Sequence, residues 1–243
     1  VYRGAGAYVA GEASGLIASL EGKKGYPRNR PPRLTVKGLY QRPTVVNNVK
    51  TLAFVPQIIK NGAAWFQGIS TKDSPGTAVF ALAGKIVNTG MVEVPMGTTL
   101  HQIIFDVGSG IPKGKKFKAV QIGGPSGGCL PESSLDLPVD FDSLQGAGAI
   151  MGSGGMVVLD EDDCMGDIAL YFLRFTQSEA CGKCTCCRIG TRRMLDILNR
   201  LCAGKGEPAD LPELEHLARM VKNGSLCGLG KTAPNPVLTT MRY

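Results

Sequence analysis

Histidine is nearly missing from this chain, whose 243 residues contain only His101 and His216. Both fall on predicted helices, where a solvent-facing or core-packed ring is the plain reading. Catalytic triads and histidine-rich zinc hydrolase sites therefore find no support. No run approaches about 18 uninterrupted apolar residues, and no charged segment followed by an apolar run opens the chain, so neither a membrane span nor secretion is supported. The basic residues are not interleaved with aromatics on one face, which argues against nucleic acid as a partner. An initiator methionine is also lacking: the chain opens on Val1, which points to a fragment of a longer protein.

Apolar residues make up 43% and charged residues 19%, the balance of a folded protein with one large core or two to three small ones. The net charge of +7 is spread out except for Lys113, Lys115, Lys116 and Lys118. That run reads as a solvated loop, with a docking patch for an acidic partner as the alternative. Glycine is plentiful, 33 residues, and clusters at 4–11, 123–128 and 152–155, where backbone must turn tightly or approach a ligand.

Coarse elements follow from periodicity. A helix is expected over 14–20, then a basic, proline-rich irregular loop from Lys23 to Arg33, then a helix over 49–59. From Thr77 the texture becomes β-rich, with strands at 77–83, 91–94 and 119–122. Between the last two, Thr98 is a plausible N-cap for a helix burying Leu100, Ile103, Ile104 and Val107. Residues 160–243 read as helical, with apolar stripes through Met165, Ile168, Ala169, Phe172 and Phe175 and through Met194, Leu195, Leu198, Leu201 and Cys202. A last helix starts at Asp210, with Glu213 completing a capping box.

Eight cysteines carry the strongest signal, because four of them fall between Cys181 and Cys187. A secreted disulfide scaffold would spread them out; crowding favours metal ligation in a reducing compartment, which places the protein in the cytoplasm. Cys181, Cys184 and Cys187 have C-x2-C-x2-C spacing, so one loop can offer three thiolates to three irons of a four-iron, four-sulfur cube. Cys227, between Gly224 and Gly228, supplies the fourth. Gly182, Gly224 and Gly228 would let backbone N–H groups approach the sulfides. Structural zinc is the competing reading, but it usually draws its cysteines as two C-x2-C pairs, and Cys227 has no such companion. Cys186 is left as a non-ligand, and Cys129, Cys164 and Cys202 as small buried side chains.

The opening Gly4-Ala5-Gly6-Ala7-Tyr8-Val9-Ala10-Gly11 is not the G-x-G-x-x-G fingerprint, since Val9 holds the third glycine's place. A tight turn explains it as well as a cofactor does. Gly11-Glu12 adds a carboxylate able to accept hydrogen bonds from a ribose or flavin ring, and Tyr8 could lie against an isoalloxazine face.

Taken in order and spacing, Gly4 to Glu12, Leu20-Glu21-Gly22 to Pro31-Pro32, Pro43-Thr44 to Asn47-Asn48-Val49, and Cys181-Gly182-Lys183-Cys184 to Cys187-Arg188 resemble the flavoprotein subunit of NADH-quinone oxidoreductase and its relatives. Those relatives include the diaphorase subunits of NAD(P)-linked iron-only hydrogenases and formate dehydrogenases. The ending, Cys227-Gly228-Leu229-Gly230 to Pro236, looks most like the soluble hydrogenase branch. The resemblance implies an α+β multidomain chain: the C-terminal part of an α/β FMN- and NAD-binding domain (1–70), a ubiquitin-like β-grasp (SLBB) module (71–135), and a connecting segment with a helical iron–sulfur domain (136–243). It implies that NADH hands a hydride to FMN and that electrons pass singly to the cluster. Carried over by position, Tyr8, Gly11, Glu12, Val46, Asn47, Asn48 and Thr51 fall on flavin or nicotinamide contacts, with Glu12 the catalytic candidate. Cys181, Cys184, Cys187 and Cys227 fall on the cluster ligands. The implied partners are a thioredoxin-like 2Fe-2S subunit and a hydrogenase or dehydrogenase catalytic subunit. Respiratory complex I is the second context, and a cluster-bearing scaffold without catalysis the third.

Three departures from the family pattern stand out. The family's earlier glycine-rich flavin loop would lie before Val1, so this chain alone is expected to hold FMN poorly. Many members carry a second glutamate where Ala13 stands here, which predicts tolerance of NADPH as well as NADH. Cys186 occupies a place where members often carry proline.

Overall fold

Helices open and close the chain, with the strands between them. The computed structural model describes residues 1–4, 6–71 and 73–243. Its elements are α1 (Ala13–Leu20), α2 (Val49–Asn61), α3 (Ala63–Gln67), β1 (Thr77–Gly84), β2 (Gly90–Pro95), β3 (Phe117–Ile122), β4 (Gly128–Pro131), α4 (Phe141–Gly146), β5 (Gly155–Asp160), α5 (Met165–Ser178), α6 (Thr185–Cys202), α7 (Asp210–Gly224), α8 (Gly228–Thr232) and α9 (Asn235–Arg242). The protein is α+β, and it divides into two compact units. One comprises Val1–Leu52 with Leu173–Pro234, the other Ala53–Phe172 with Asn235–Tyr243. Among the described residues no helix is long and apolar enough to cross a membrane.

In the second unit, alternation explains β1: Ala78, Phe80 and Leu82 turn inward while Val79 and Ala81 face out. The five strands form one mixed sheet in the order β2-β1-β5-β3-β4. β1 and β5 are parallel, and the remaining neighbours are antiparallel. The expected strands at 77–83, 91–94 and 119–122 are β1, β2 and β3. β4 and β5 add to them, and β5, the central strand, lies at 155–160 and not within 71–135. Its run Met156-Val157-Val158-Leu159 is buried almost continuously, so it lacks the alternation that marks a half-exposed strand.

The helix after β2 departs from expectation in two ways. Thr98 does not cap it; its hydroxyl donates to the Pro95 carbonyl at 2.8 Å. The cap is Thr99, which accepts from the Gln102 N–H at 3.2 Å, while Gln102 Oε1 accepts from the Thr99 N–H at 3.0 Å, a complete capping box. From Gln102 to Val107 the helix is then wound as a π-helix, closed by the Gly108 N–H donating to the Ile103 carbonyl at 3.0 Å. Leu100, Ile103 and Ile104 are fully buried in the core with Phe80, Ile122 and Leu130, but the wider turn rotates Val107 out to solvent.

The glycine clusters at 123–128 and 152–155 serve backbone packing. A β-carbon on Gly152 would sit 2.5 Å from the Gly123 carbonyl oxygen, and one on Gly154 would sit 2.0 Å from that of Val79. Backbone meets backbone here, and no ligand is needed to explain the glycines.

In the first unit, α6 and α7 pack along Met194, Leu195, Leu198, Leu214, Ala218 and Val221, all buried. They pack tightly at Gly190, where a β-carbon would meet Val221 Cγ2 at 2.3 Å. The capping box expected at Asp210 and Glu213 is not formed. Asp210 instead pairs with Arg200 and accepts from the Glu207 N–H at 2.9 Å, while Glu213 pairs with Arg193 at 3.1 Å. Hydrogen bonds from Arg200 and the Glu207 N–H hold the Asp210 carboxyl below the usual carboxylate range. Of the three cysteines expected to be buried, only Cys129 is; Cys164 and Cys202 are exposed.

Candidate metal centre

The cysteine loop is built by the start of α6. Cys184 is its N-cap residue, with extended backbone, and Cys187 sits in its first turn, buried. Upstream, Gly182 takes a left-handed φ of 78°, which turns Cys181 back toward the helix. The turn is clamped from below, since Arg188 Nη1 donates to the Gly182 carbonyl at 2.9 Å. Thr191 Oγ1 donates to the Cys187 carbonyl at 2.7 Å. Cys227 comes from the far side of α7, as the N-cap residue of α8. α8 closes on the loop because Gly230 has no side chain: a β-carbon there would lie 2.5 Å from Ser225 Oγ and 3.3 Å from Cys187 Cβ.

Cys181, Cys184, Cys187 and Cys227 thereby line one pocket, together with Val9, Gly182, Lys183, Ser225, Leu229 and Gly230. Cys186 is not among them. Its sulfur packs against Gly224, where a β-carbon would be 2.7 Å from Sγ. The glycines touching the pocket are Gly182 and Gly230; Gly224 serves Cys186, contrary to the expectation that it would face the sulfides. Two further lining residues lie outside the expected set. In the sequence Val9 only breaks a fingerprint, and Ser225 carries no signal of its own.

The donor set fits an iron–sulfur cube. Four soft thiols line one space, the ligand number and type that a cubane cluster takes. Burial, followed by repulsion from Cys227, Cys184, Cys181 and Cys186, pushes the Cys187 thiol up to about 11. Thiolates crowded this way stay ionised only opposite a strong local positive charge, which a metal cluster supplies.

The flavin-side candidates lie on the surface. Tyr8 is exposed, its ring edge-on to Phe175 with centroids 5.3 Å apart, and its N–H donates to Glu179 Oε2 at 3.1 Å. At Gly11 nothing lies within 4 Å of where a β-carbon would be, so its face is open to an approaching ring. Glu12 caps α1: it accepts from the Gly15 N–H at 2.8 Å and from the Ser14 hydroxyl, and pairs with Arg30 at 3.0 Å. Burial pushes the Glu12 carboxyl up, but the Ser14 and Gly15 hydrogen bonds and Arg30 outweigh it, leaving the group below its ordinary value. Val46, Asn47, Asn48 and Thr51 are all exposed, and Asn48 Oδ1 accepts from the Lys50 N–H at 2.9 Å, fixing the start of α2.

Comparison with known proteins joins these two regions. Residues 1–57 match the Nuo51 FMN-binding domain, and residues 167–243 match the NADH-ubiquinone oxidoreductase-F iron–sulfur binding region. Both are regions of the flavoprotein subunit of NADH-quinone oxidoreductase, to which the chain is similar over those two stretches. The chain is similar to the NADP-reducing hydrogenase subunit HndC of Solidesulfovibrio fructosivorans, 57% identical over 98% of this chain and 49% of that protein. It is also similar to an NADH-quinone oxidoreductase subunit of Rhizobium meliloti, 44% identical over 100% of this chain and 58% of that one. Among solved structures, the H2-reduced NAD+-reducing NiFe-hydrogenase superposes with a TM-score of 0.89 at 39% identity, over 99% of this chain and 41% of the other. The chain thus spans about half the length of the curated relatives it matches. All four pocket cysteines lie in the stretch matched by the iron–sulfur region, and Tyr8, Val9 and Glu12 in the stretch matched by the flavin domain.

Proposed function

We propose that this protein is the diaphorase subunit of a multisubunit oxidoreductase, passing electrons between NAD(P)H, FMN and one 4Fe-4S cluster. The observation that carries the reading is the single pocket lined by Cys181, Cys184, Cys187 and Cys227, with Val9 of the glycine-rich turn in its wall. Those four thiolates are the cluster ligands, and Cys186 is not one. When bound, FMN supplies hydride acceptance and the cube single-electron transfer. Tyr8, Gly11, Glu12, Val46, Asn47, Asn48 and Thr51 make the flavin and nicotinamide surface, where Gly11 admits the ring and Glu12, held ionised, accepts hydrogen bonds. Residues 71–135 are read as the β-grasp SLBB module, and 136–243 as a connecting segment with the helical cluster domain.

The 57% identity to a hydrogenase subunit, against 44% to a quinone oxidoreductase subunit, favours a hydrogenase or dehydrogenase complex; crowded thiols that need a reducing compartment support the cytoplasm as its location. A thioredoxin-like 2Fe-2S subunit and a catalytic hydrogenase or dehydrogenase subunit are its partners there. Complex I is the second context, and a pull-down recovering a hydrogenase large subunit separates the two. The test of the function is anaerobic purification of the full-length protein, with iron, sulfide and flavin analysis and NADH-driven dye reduction. Four irons per chain with flavin-dependent dye reduction are expected; zinc in place of iron, or iron without dye reduction, overturns the reading.

A further inference from the structure

Glu179 stands where helix physics argues against a carboxylate. α5 ends at Ser178 with no basic residue in its last turn, and Glu179 follows directly, its N–H donating to the Phe175 carbonyl at 3.0 Å. The side chain therefore lies at the negative end of the helix dipole, which opposes its charge. Among the described residues no ion pair involves Glu179. Its partner is a neutral donor far away in sequence: the Tyr8 N–H donates to Oε2 at 3.1 Å, across 171 positions.

Phe175 holds the same residue a second way. It lies one helical turn before Glu179, on the same face of α5. The Tyr8 ring meets it edge-on, with centroids 5.3 Å apart and planes at 86°, an arrangement that stabilises beyond the area it buries. Tyr8 opens a single 3-10 turn, Tyr8–Gly11. Within itself that turn is closed by the Ala10 N–H donating to the Ala7 carbonyl and the Glu12 N–H donating to that of Val9, both at 3.0 Å. Neither bond ties the turn to anything outside it. The contacts of Tyr8 with α5 do, and the next residue, Val9, stands in the wall of the cysteine pocket. The turn is thus fastened to the helix that leads through Ala180 into Cys181.

We propose that Glu179 and Phe175 are positioning residues for the flavin. They hold Tyr8, and with it the open face at Gly11, in one place before flavin arrives. Both act through Tyr8 and not by touching the flavin. A turn left loose would have to be ordered on binding, and that cost appears as lost affinity. The role of Glu179 needs an acceptor and no charge, because the amide it takes is neutral; a glutamine carbonyl at 179 can accept the same bond. The proposal rests on the assignment of Tyr8 and Gly11 to the flavin surface.

The test uses the full-length holoprotein, stripped of FMN and titrated with FMN itself, with quenching of flavin fluorescence as the signal. Glu179→Ala should weaken binding about tenfold, and Phe175→Leu about threefold. Glu179→Gln should bind within about twofold of the parent. Amide hydrogen exchange at Tyr8, measured without flavin, should quicken in Glu179→Ala and keep the parent's rate in Glu179→Gln. Iron and acid-labile sulfide should match the parent in every variant. Removing a carboxylate from a helix C-terminus is favourable, so both variants at 179 should melt no lower than the parent. Parent-like FMN affinity in Glu179→Ala overturns the proposal. So does a glutamine variant as weak as the alanine one, which would make the charge and not the acceptor what matters. Loss of iron in Glu179→Ala overturns it too, by assigning the residue to the cysteine loop. Failure of the flavin reading would show separately, as an unvaried protein that neither retains nor rebinds FMN.

Discussion

Cys186 and Gly224 are packed against each other so closely that a β-carbon on the glycine would stand 2.7 Å from the cysteine sulfur. The odd member of the cysteine loop is thus a packing group at the end of α7, outside the pocket its four neighbours line. Cys186→Ser should keep the iron and sulfide content of the parent, whereas Cys187→Ser should lose most of it. Iron and acid-labile sulfide assays on anaerobically purified variants decide the matter. Equal iron loss in both would make Cys186 a ligand.

How much of this is legible in the residues alone depends on the range of the interaction. C-x2-C-x2-C is a local pattern, so three pocket cysteines can be read directly, and the lone Cys227 follows from the need for a fourth. Val9, Ser225 and Gly230 reach the pocket only through tertiary packing, and nothing in their neighbours announces it. The amphipathic helices α5, α6 and α7 announce themselves by period. β5 does not, because a central strand buried on both faces has no alternation to show. At Asp210 the local capping signal is real but loses to the stronger pairing with Arg200. At Val107 a π-turn breaks the 3.6-residue period from which its burial is inferred.

Glu12 makes stability depend on pH. Its carboxylate caps α1 and pairs with Arg30, and its folded-state value lies below the ordinary one. The stabilisation is therefore complete above the unfolded carboxylate value and is lost as pH falls through the folded one. Glu12→Gln should cost about 1 kcal/mol at pH 7, the usual worth of a cap. The gap between variant and parent should close in acid. Urea midpoints followed from pH 7 into acid measure it, and a gap that does not narrow as pH falls would contradict the capping role.

Gly154 has a left-handed φ of 89°, and a β-carbon there would lie 2.0 Å from the Val79 carbonyl oxygen. Both the conformation and the contact exclude a side chain, and the obstacle is strand backbone, which cannot swing away. Gly154→Ala should destabilise the sheet-bearing unit by roughly 2–4 kcal/mol. Gly146→Ala, at a helical glycine with nothing within 4 Å, should be nearly neutral. Thermal unfolding of the two variants side by side separates a backbone clash from a general effect of removing glycine.

On the proposed function, Ala13 bears on nucleotide choice. It is the first residue of α1, directly after Glu12, at the helix N-terminus, the end whose dipole favours negative charge. A carboxylate at 13 would repel the 2′-phosphate of NADPH, and with alanine there that repulsion is gone. The full-length protein should therefore use NADPH at a rate comparable to NADH, and Ala13→Glu should lower kcat/KM for NADPH by about tenfold, or 1.4 kcal/mol. NADH turnover should change little. Because glutamate is favourable in the first turn of a helix, the variant should fold as well as the parent, so a loss confined to NADPH would report on the phosphate. Steady-state rates showing NADH already strongly preferred by the parent would remove Ala13 as a determinant.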